Sequence, residues 1–367
     1  MDIYNYIDKY GNKTFEEEQF NEIDSVLFSF LSYANFENIL DKSSKKSIRD
    51  IAESYQKIHN TKDKNIYAVK EANKLLKYIA DTKRYKNCIV YNYEYIGNEK
   101  IQFGAISIEY MPNKVYVSFE GTDQLFSGWI EDFIISYKFP TISHKTAIRY
   151  LNKNFTFNSK ELIVGGHSKG GNLALVAGMN ANIFVRRKIK LIYNMDGPGL
   201  LDKEFNSKKY KKINNKYVHI IPDTTYIGLF LNHSNDYVVK SSNKGILSHA
   251  INFWMIEDKK LIQSDLSPMS TNLDIRLKEW LEKYNKEDKY NFVTNLNDVL
   301  KKAEVTSILE LTSKNKKIFT LIKETKEINN NTKEILIDFI NLILDCFKNT
   351  KKEEFKDYIN NIFKNDK

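Results

Sequence analysis

The stretch Glu161-Leu162-Ile163-Val164-Gly165-Gly166-His167-Ser168-Lys169-Gly170-Gly171-Asn172-Leu173-Ala174-Leu175 decides how the rest of the chain is read. Its first residues are a short apolar run of the kind that forms a buried strand, and its last residues open a helix of small and apolar side chains. Between them stands Gly166-His167-Ser168-Lys169-Gly170, a G-x-S-x-G pentapeptide. A nucleophilic serine needs this setting: a sharp strand-to-helix turn pushes its hydroxyl out over the edge of a sheet. Glycines two residues to either side let strand and helix approach without Cβ clashes. The turn also aims the unpaired N–H groups of the helix N-terminus at the negative charge that forms on a substrate.

Working outward, residues 190–195, 217–222 and 237–241 read as strands, with helices expected over 146–151, 170–184 and 224–231. Such alternation implies a mostly parallel sheet covered by helices. Upstream, 88–96, 100–110 and 114–121 are rich in Val, Ile, Tyr and Phe and are separated by Gly97-Asn98 and Met111-Pro112-Asn113. They predict an antiparallel meander feeding the parallel series, and so a mixed sheet. Residues 1–85 read as helices packed on this core, 86–262 as the α/β core, and 263–367 as a helical extension with one-sided apolar segments at 273–284, 292–303 and 333–348.

An acyl-transfer serine requires a base, and three histidines follow it: His219, His233 and His249. His219 lies within a strand and reads as a satisfied core residue, and His233 lies in a polar turn that reads as solvated. His249 follows the last strand through a loop, from which it can reach back over the sheet edge, so it is the expected base. The orienting acid must come from Asp196, Asp202, Asp223 or Asp236. Asp196 and Asp223 end strands, where ligands collect in parallel sheets. Asp236 begins a strand, which places it on the opposite side, and Asp202 lies in a charged loop. Asp223 also suits the N-cap of the helix expected over 224–231, so Asp196 is preferred and Asp223 is the alternative.

An oxyanion needs two donors. One is the backbone N–H of Lys169, after the nucleophile. The other is expected from the strand end Glu120-Gly121-Thr122-Asp123, where Thr122 offers an N–H and a hydroxyl.

Together, Gly165 to Ala174, the SFEGTD…GW…EDF segment from Ser118 to Phe133, Asn194-Met195-Asp196-Gly197-Pro198-Gly199, Val238 to Ser242 and His249 resemble the bacterial Mbeg1-like proteins. Asn21-Glu22-Ile23-Asp24 and Leu31-Ser32-Tyr33 fit as well. This is a branch of undefined function that resembles class 3 lipases. The resemblance implies an α/β-hydrolase fold and lipase or esterase activity with Ser168 as nucleophile. The chain departs from class 3 lipases at Glu120, where those enzymes carry Arg, and at Thr225-Tyr226-Ile227, where they carry Asp-x-Val. The second departure removes the lipase acid from its usual place and favours Asp196, whose strand-end position resembles that of the acid in pancreatic-type lipases.

Composition sets limits on the alternatives. With 367 residues, 42% apolar, 14 Gly and 5 Pro, the chain is a globular candidate and not a disordered or collagen-like one. Its net charge of +9 comes from 56 Lys+Arg against 47 Asp+Glu, only six of the basic residues being Arg. Readers of nucleic acid lean on Arg, so no nucleic-acid partner is expected. Much of the excess is local: 186–216 holds ten Lys or Arg and three acids, a stretch suited to an anionic membrane surface. Cys88 and Cys346 match no metal spacing or secreted disulfide framework, and the first residues lack a signal-peptide pattern, so a cytoplasmic setting is expected. The longest apolar run, 335–347, is too short and too interrupted to span a bilayer.

The expected activity is cleavage of carboxylic, plausibly lipid, esters through an acyl-enzyme at Ser168, with neither cofactor nor metal. A catalytically impaired lipid-binding protein of the same fold, and an acyltransferase or thioesterase using the same residues, remain as alternatives.

Overall fold

Residues 1–58, 67–98, 101–122, 133–302, 332–335 and 338 are described by the computed structural model. They belong to two compact units, Met1–Gln124 with Lys138–Ser270 and Leu125–Tyr137 with Thr271–Lys367. The described residues of 1–85, mostly helical, therefore share a unit with the sheet. Residues 133–137 group with the described C-terminal helices, and the later division falls at 270 instead of 262.

The first unit is built on an eight-stranded sheet whose spatial order follows the chain: β1 (Lys45–Ser47), β2 (Ile89–Asn98), β3 (Ile101–Met111), β4 (Lys114–Phe119), β5 (Glu161–His167), β6 (Ile189–Met195), β7 (Tyr217–Pro222) and β8 (Asp236–Val239). β1 to β4 pair antiparallel, and β4 to β8 pair parallel. Parallel strands that step one way through right-handed crossovers carry their connections on a single face. That face holds α5 (Ile142–Phe155), α6 (Lys169–Asn180), α7 (Ile183–Lys188) and the single turns α8 (Asp202–Phe205) and α9 (Lys208–Lys211). The other face would lie open without the N-terminal helices α1 (Ile3–Tyr10), α2 (Glu22–Leu31), α3 (Ile48–Ile58) and α4 (Tyr67–Ile79).

The period-2 alternation of strand side chains divides the core accordingly. Val115, Val117 and Phe119 of β4 and Leu162 and Val164 of β5 pack with α5 and α6. Tyr116 and Ile163, between them, pack with Phe28, Leu31 and Leu76 of the N-terminal helices. A buried ion pair fixes that second layer. Arg84 donates through Nε (2.9 Å) and Nη2 (2.6 Å) to Asp24 of α2, which also accepts from the Tyr85 hydroxyl at 2.6 Å.

Two expected helices differ. The stretch 170–184 breaks at Ala181-Asn182, because Asn182 accepts the Val185 N–H at 3.0 Å and caps a separate helix. Residues 224–231 form turns, not a helix, and their polar groups are used by Asp196. The N-cap role considered for Asp223 disappears with that helix.

In the second unit, α10 (Pro268–Lys283, from Thr271 onward) and α11 (Lys286–Lys302) share an aromatic core. Trp280 and Phe133 each meet Phe292 edge-on, at 5.4 and 5.7 Å. Most of 333–348, Cys346 and Asp123 lie outside the described residues. Among those described, no helix is long and apolar enough to cross a membrane.

Candidate active site

The parallel strands β4 to β7 end together, and each is followed by a residue named from sequence: Thr122 three positions after Phe119, Ser168 after His167, Asp196 after Met195 and Asp223 after Pro222. Ser168 has φ 57° and ψ −132°, a left-handed backbone that a side chain rarely adopts and that the strand-to-helix turn imposes. Its N–H donates to the Met195 carbonyl at 2.8 Å, and its carbonyl accepts from the Gly171 N–H at 2.9 Å. The turn is closed too tightly for a side chain at Gly170, whose Cβ would lie 2.1 Å from the Phe119 carbonyl oxygen. The Ser168 hydroxyl makes no hydrogen bond with the described residues.

Of the two candidate acids, Asp196 meets His249. His249 Nδ1–H donates to Asp196 Oδ2 at 2.7 Å, and the carboxylate is fully buried. Its other oxygen accepts from the Thr225 hydroxyl and from the Gly228 N–H at 3.1 Å. Asp196 itself has φ 49°, held by a network around the following turn. Asn194 Oδ1 accepts the Gly197 N–H at 3.0 Å, and Asn172 Nδ2 donates to the Pro198 and Gly199 carbonyls at 3.1 and 2.8 Å. Asp223 is spent differently. Its backbone pairs with Val239, Ser267 and Ser270, while Oδ1 is buried without a partner among the described residues. Burial pushes the Asp223 carboxyl above its ordinary range.

Two residues not chosen from sequence hold His249 in place. His167 Nε2–H donates to the His249 carbonyl at 2.7 Å, and His167 Nδ1 accepts from the Tyr33 hydroxyl at 2.9 Å. The two imidazoles lie 4.4 Å apart between centroids. Burial, then the neighbouring His249, holds His167 well below the ordinary histidine range, so its single proton stays on Nε2. His167 occupies the variable place of the pentapeptide, and Tyr33 belongs to the N-terminal layer. The pentapeptide drew attention to His167, but nothing local to Tyr33 announced this contact.

Of the two expected oxyanion donors, Lys169 follows the serine in the chain and Thr122 follows Gly121, which packs against the pentapeptide. Lys169 is the first residue of α6, where a backbone N–H has no intrahelical acceptor. Its side chain is buried and donates to the Gln102 carbonyl at 2.9 Å. Gly121 is packed against the pentapeptide: a Cβ there would lie 2.3 Å from the His167 carbonyl oxygen. Beside it, the Thr122 hydroxyl is buried and has no hydrogen-bond partner among the described residues. Glu120 lies over β3, where a Cβ on Gly104 would be 1.9 Å from its Oε2.

His219 is a buried, satisfied histidine, donating from Nε2 to the Gly197 carbonyl at 3.1 Å and meeting Asp236 through Nδ1 at 2.7 Å. His233 is not solvated as expected; its Nδ1 binds the second Asp236 oxygen at 2.7 Å. Nor is Asp236 on the far side of the sheet. β8 starts late, so Asp236 pairs with His219, which lies level with Asn194 and Gly166, near the serine edge. These three residues are the one His/Cys/Asp/Glu group among those described whose ligand atoms lie close enough to share a metal ion. One proton beyond the neutral rings satisfies every one of these bonds.

The Mbeg1-like family model matches residues 79–298, more than half of the chain. No curated protein matches it. Among solved structures, the Rhizomucor miehei lipase propeptide complex is 13% identical, with a TM-score of 0.36, covering 63% of this chain and 77% of that one. Lipase II from Rhizopus niveus is 12% identical, with a TM-score of 0.34 and coverage of 59% and 82%. These likenesses are loose and assign no role to any residue of this chain. The mixed sheet, its strand-to-helix serine turn and the matched family agree with an α/β-hydrolase fold, and the chain belongs to the Mbeg1-like family.

Proposed function

We propose that the protein is a serine hydrolase of carboxylic esters. In this reading Ser168 attacks the ester carbonyl while His249 Nε2 takes its proton. Asp196 fixes the useful tautomer: with Nδ1–H bonded to Oδ2 at 2.7 Å, the lone pair of His249 is on Nε2. The imidazolium formed in this step gains the buried carboxylate as its counter-charge, then protonates the leaving alcohol. Water attacks the acyl-enzyme by the same route in reverse.

The tetrahedral oxyanion would accept from the Lys169 N–H and from Thr122, whose hydroxyl is already desolvated and unpaired among the described residues. A Ser–His hydrogen bond that forms only with substrate is common in unliganded enzymes. The single observation that carries the proposal is the Asp196–His249 pair, buried and fully bonded, at the strand edge where Ser168 adopts its strained backbone.

The test is turnover of p-nitrophenyl esters of increasing acyl length by wild type and Ser168→Ala. Loss of about 10⁴-fold or more in kcat is expected for the variant. Equal rates would remove Ser168 from the reaction. The panel also identifies the acyl length that the site accepts.

A further inference from the structure

We propose that the edge of the sheet opposite Ser168 docks on an anionic lipid bilayer. At this edge the parallel strands begin, and the polypeptide there carries side chains that the fold does not bury. Phe157, in the connection before β5, is 100% exposed, and Phe184 and Ile183, in the first turn of α7, are 60% and 46% exposed. An isolated exposed apolar residue is ordinary, but these three lie on adjoining segments. Asn182 Nδ2 donates to the Thr156 hydroxyl at 2.8 Å, tying the two segments together one residue before Phe157 and one before Ile183. Lys188 Nζ donates to the Phe155 carbonyl at 2.6 Å, the Thr156 carbonyl at 3.2 Å and the Asn158 carbonyl. Phe157 is therefore presented on a loop held at both sides.

Charge identifies the occupant. Lys153, Arg187, Lys190 and Lys209 are exposed on the same segments or bonded to them; Lys209 reaches Asn180, at the end of α6, at 2.9 Å. Two acids at this edge are engaged by lysines, Glu161 by Lys190 at 3.4 Å and Glu109 by Lys160 at 2.5 Å. Aromatic and aliphatic side chains beside exposed basic ones are the composition of a surface that inserts shallowly among anionic headgroups. A second copy of the chain would bring like charge against like charge.

The placement has a consequence. β5 runs from Glu161 at this edge to His167 beside Ser168, about 20 Å at the rise of a strand. A protein docked here presents Ser168 away from the bilayer that holds it, so its substrate arrives from the solvent side. Only this orientation rests on the reading of Ser168 as a nucleophile.

Co-sedimentation with phosphatidylcholine vesicles, with and without phosphatidylglycerol, tests the docking surface. Binding to the anionic vesicles is expected, weakened by salt and by about tenfold or more in Phe157→Ser/Phe184→Ser. An unchanged melting curve in the variant will show that it is folded, and Arg187→Ser, which leaves the apolar side chains in place, is expected to weaken binding to a smaller degree. No binding, binding that the double substitution leaves intact, or a substitution that alters self-association instead would overturn the proposal. Fluorophosphonate labelling of Ser168 with and without bound vesicles tests the orientation: equal labelling is expected, and labelling blocked by vesicles would place the docking surface at the serine edge. Labelling without vesicles checks the nucleophile by itself, so the two readings fail separately.

Discussion

The two edges of the parallel sheet are built on opposite rules. At the edge where the strands end, polar groups are drawn inward and bonded: Asp196 is fully buried with three donors, and His167 is clamped between Tyr33 and the His249 backbone. Where the strands begin, Phe157, Ile183 and Phe184 face solvent and lysines spread around them. Burying polar groups is costly unless each finds a partner, and exposing large apolar groups forfeits the hydrophobic gain that folds the chain. At the serine edge the cost falls on the left-handed Ser168 backbone and the Thr122 hydroxyl, unpaired among the described residues, and at the other on three exposed apolar side chains; neither is required by the fold, which is the mark of a surface kept for function.

The largest test of this contrast lies within the serine edge itself, where two aspartates end neighbouring strands but only one meets His249. Asp196→Asn is expected to lower kcat by about 10⁴-fold, because the amide can donate to Nδ1 and hold the wrong tautomer. Asp223→Asn is expected to change it by less than about threefold, since that side chain does not orient His249. Steady-state kinetics on one ester will rank them, and the reverse order would reassign the acid.

A smaller effect separates the edges by their response to pH. His167 is held neutral in the folded protein, its pKa lowered chiefly by burial. In the unfolded chain it titrates near about 6.5. Below that pH the unfolded state binds a proton that the folded state refuses. The contribution of His167 to stability is therefore complete above about 6.5 and declines as pH falls, by at most about 1.4 kcal/mol per pH unit. Urea unfolding between neutral and mildly acidic pH should show a shallower decline in His167→Asn than in wild type. Parallel slopes would mean that His167 is not held neutral.

Sequence made the fold and much of the site legible because the signals were local. An apolar run, a glycine-flanked serine and a following helix occupy consecutive residues, and strand ends can be aligned once the sheet is taken as parallel. The remainder depended on contacts distant along the chain. Tyr33 reaches His167 across 134 positions, and Thr225 reaches Asp196 across 29. The expected helix over 224–231 failed for the same reason: local propensity does not register a buried carboxylate that recruits Thr225 and Gly228. Asp236 was misplaced because the late start of β8 is a matter of register, which the order of strands does not reveal. The charge of 186–216 was visible as a number, but not that the segment crosses the sheet, with Asp196 at the serine edge and basic residues such as Lys190, Lys209 and Lys216 gathered where β5, β6 and β7 begin.

The most direct test of the central claim is the covalent one. After incubation with a fluorophosphonate, a single adduct is expected on the intact protein, mapped to Ser168 and absent from Ser168→Ala, with labelling slowed in Asp196→Asn. A folded protein that takes up no adduct, or takes it up at another residue while Ser168→Ala labels as wild type does, would contradict it.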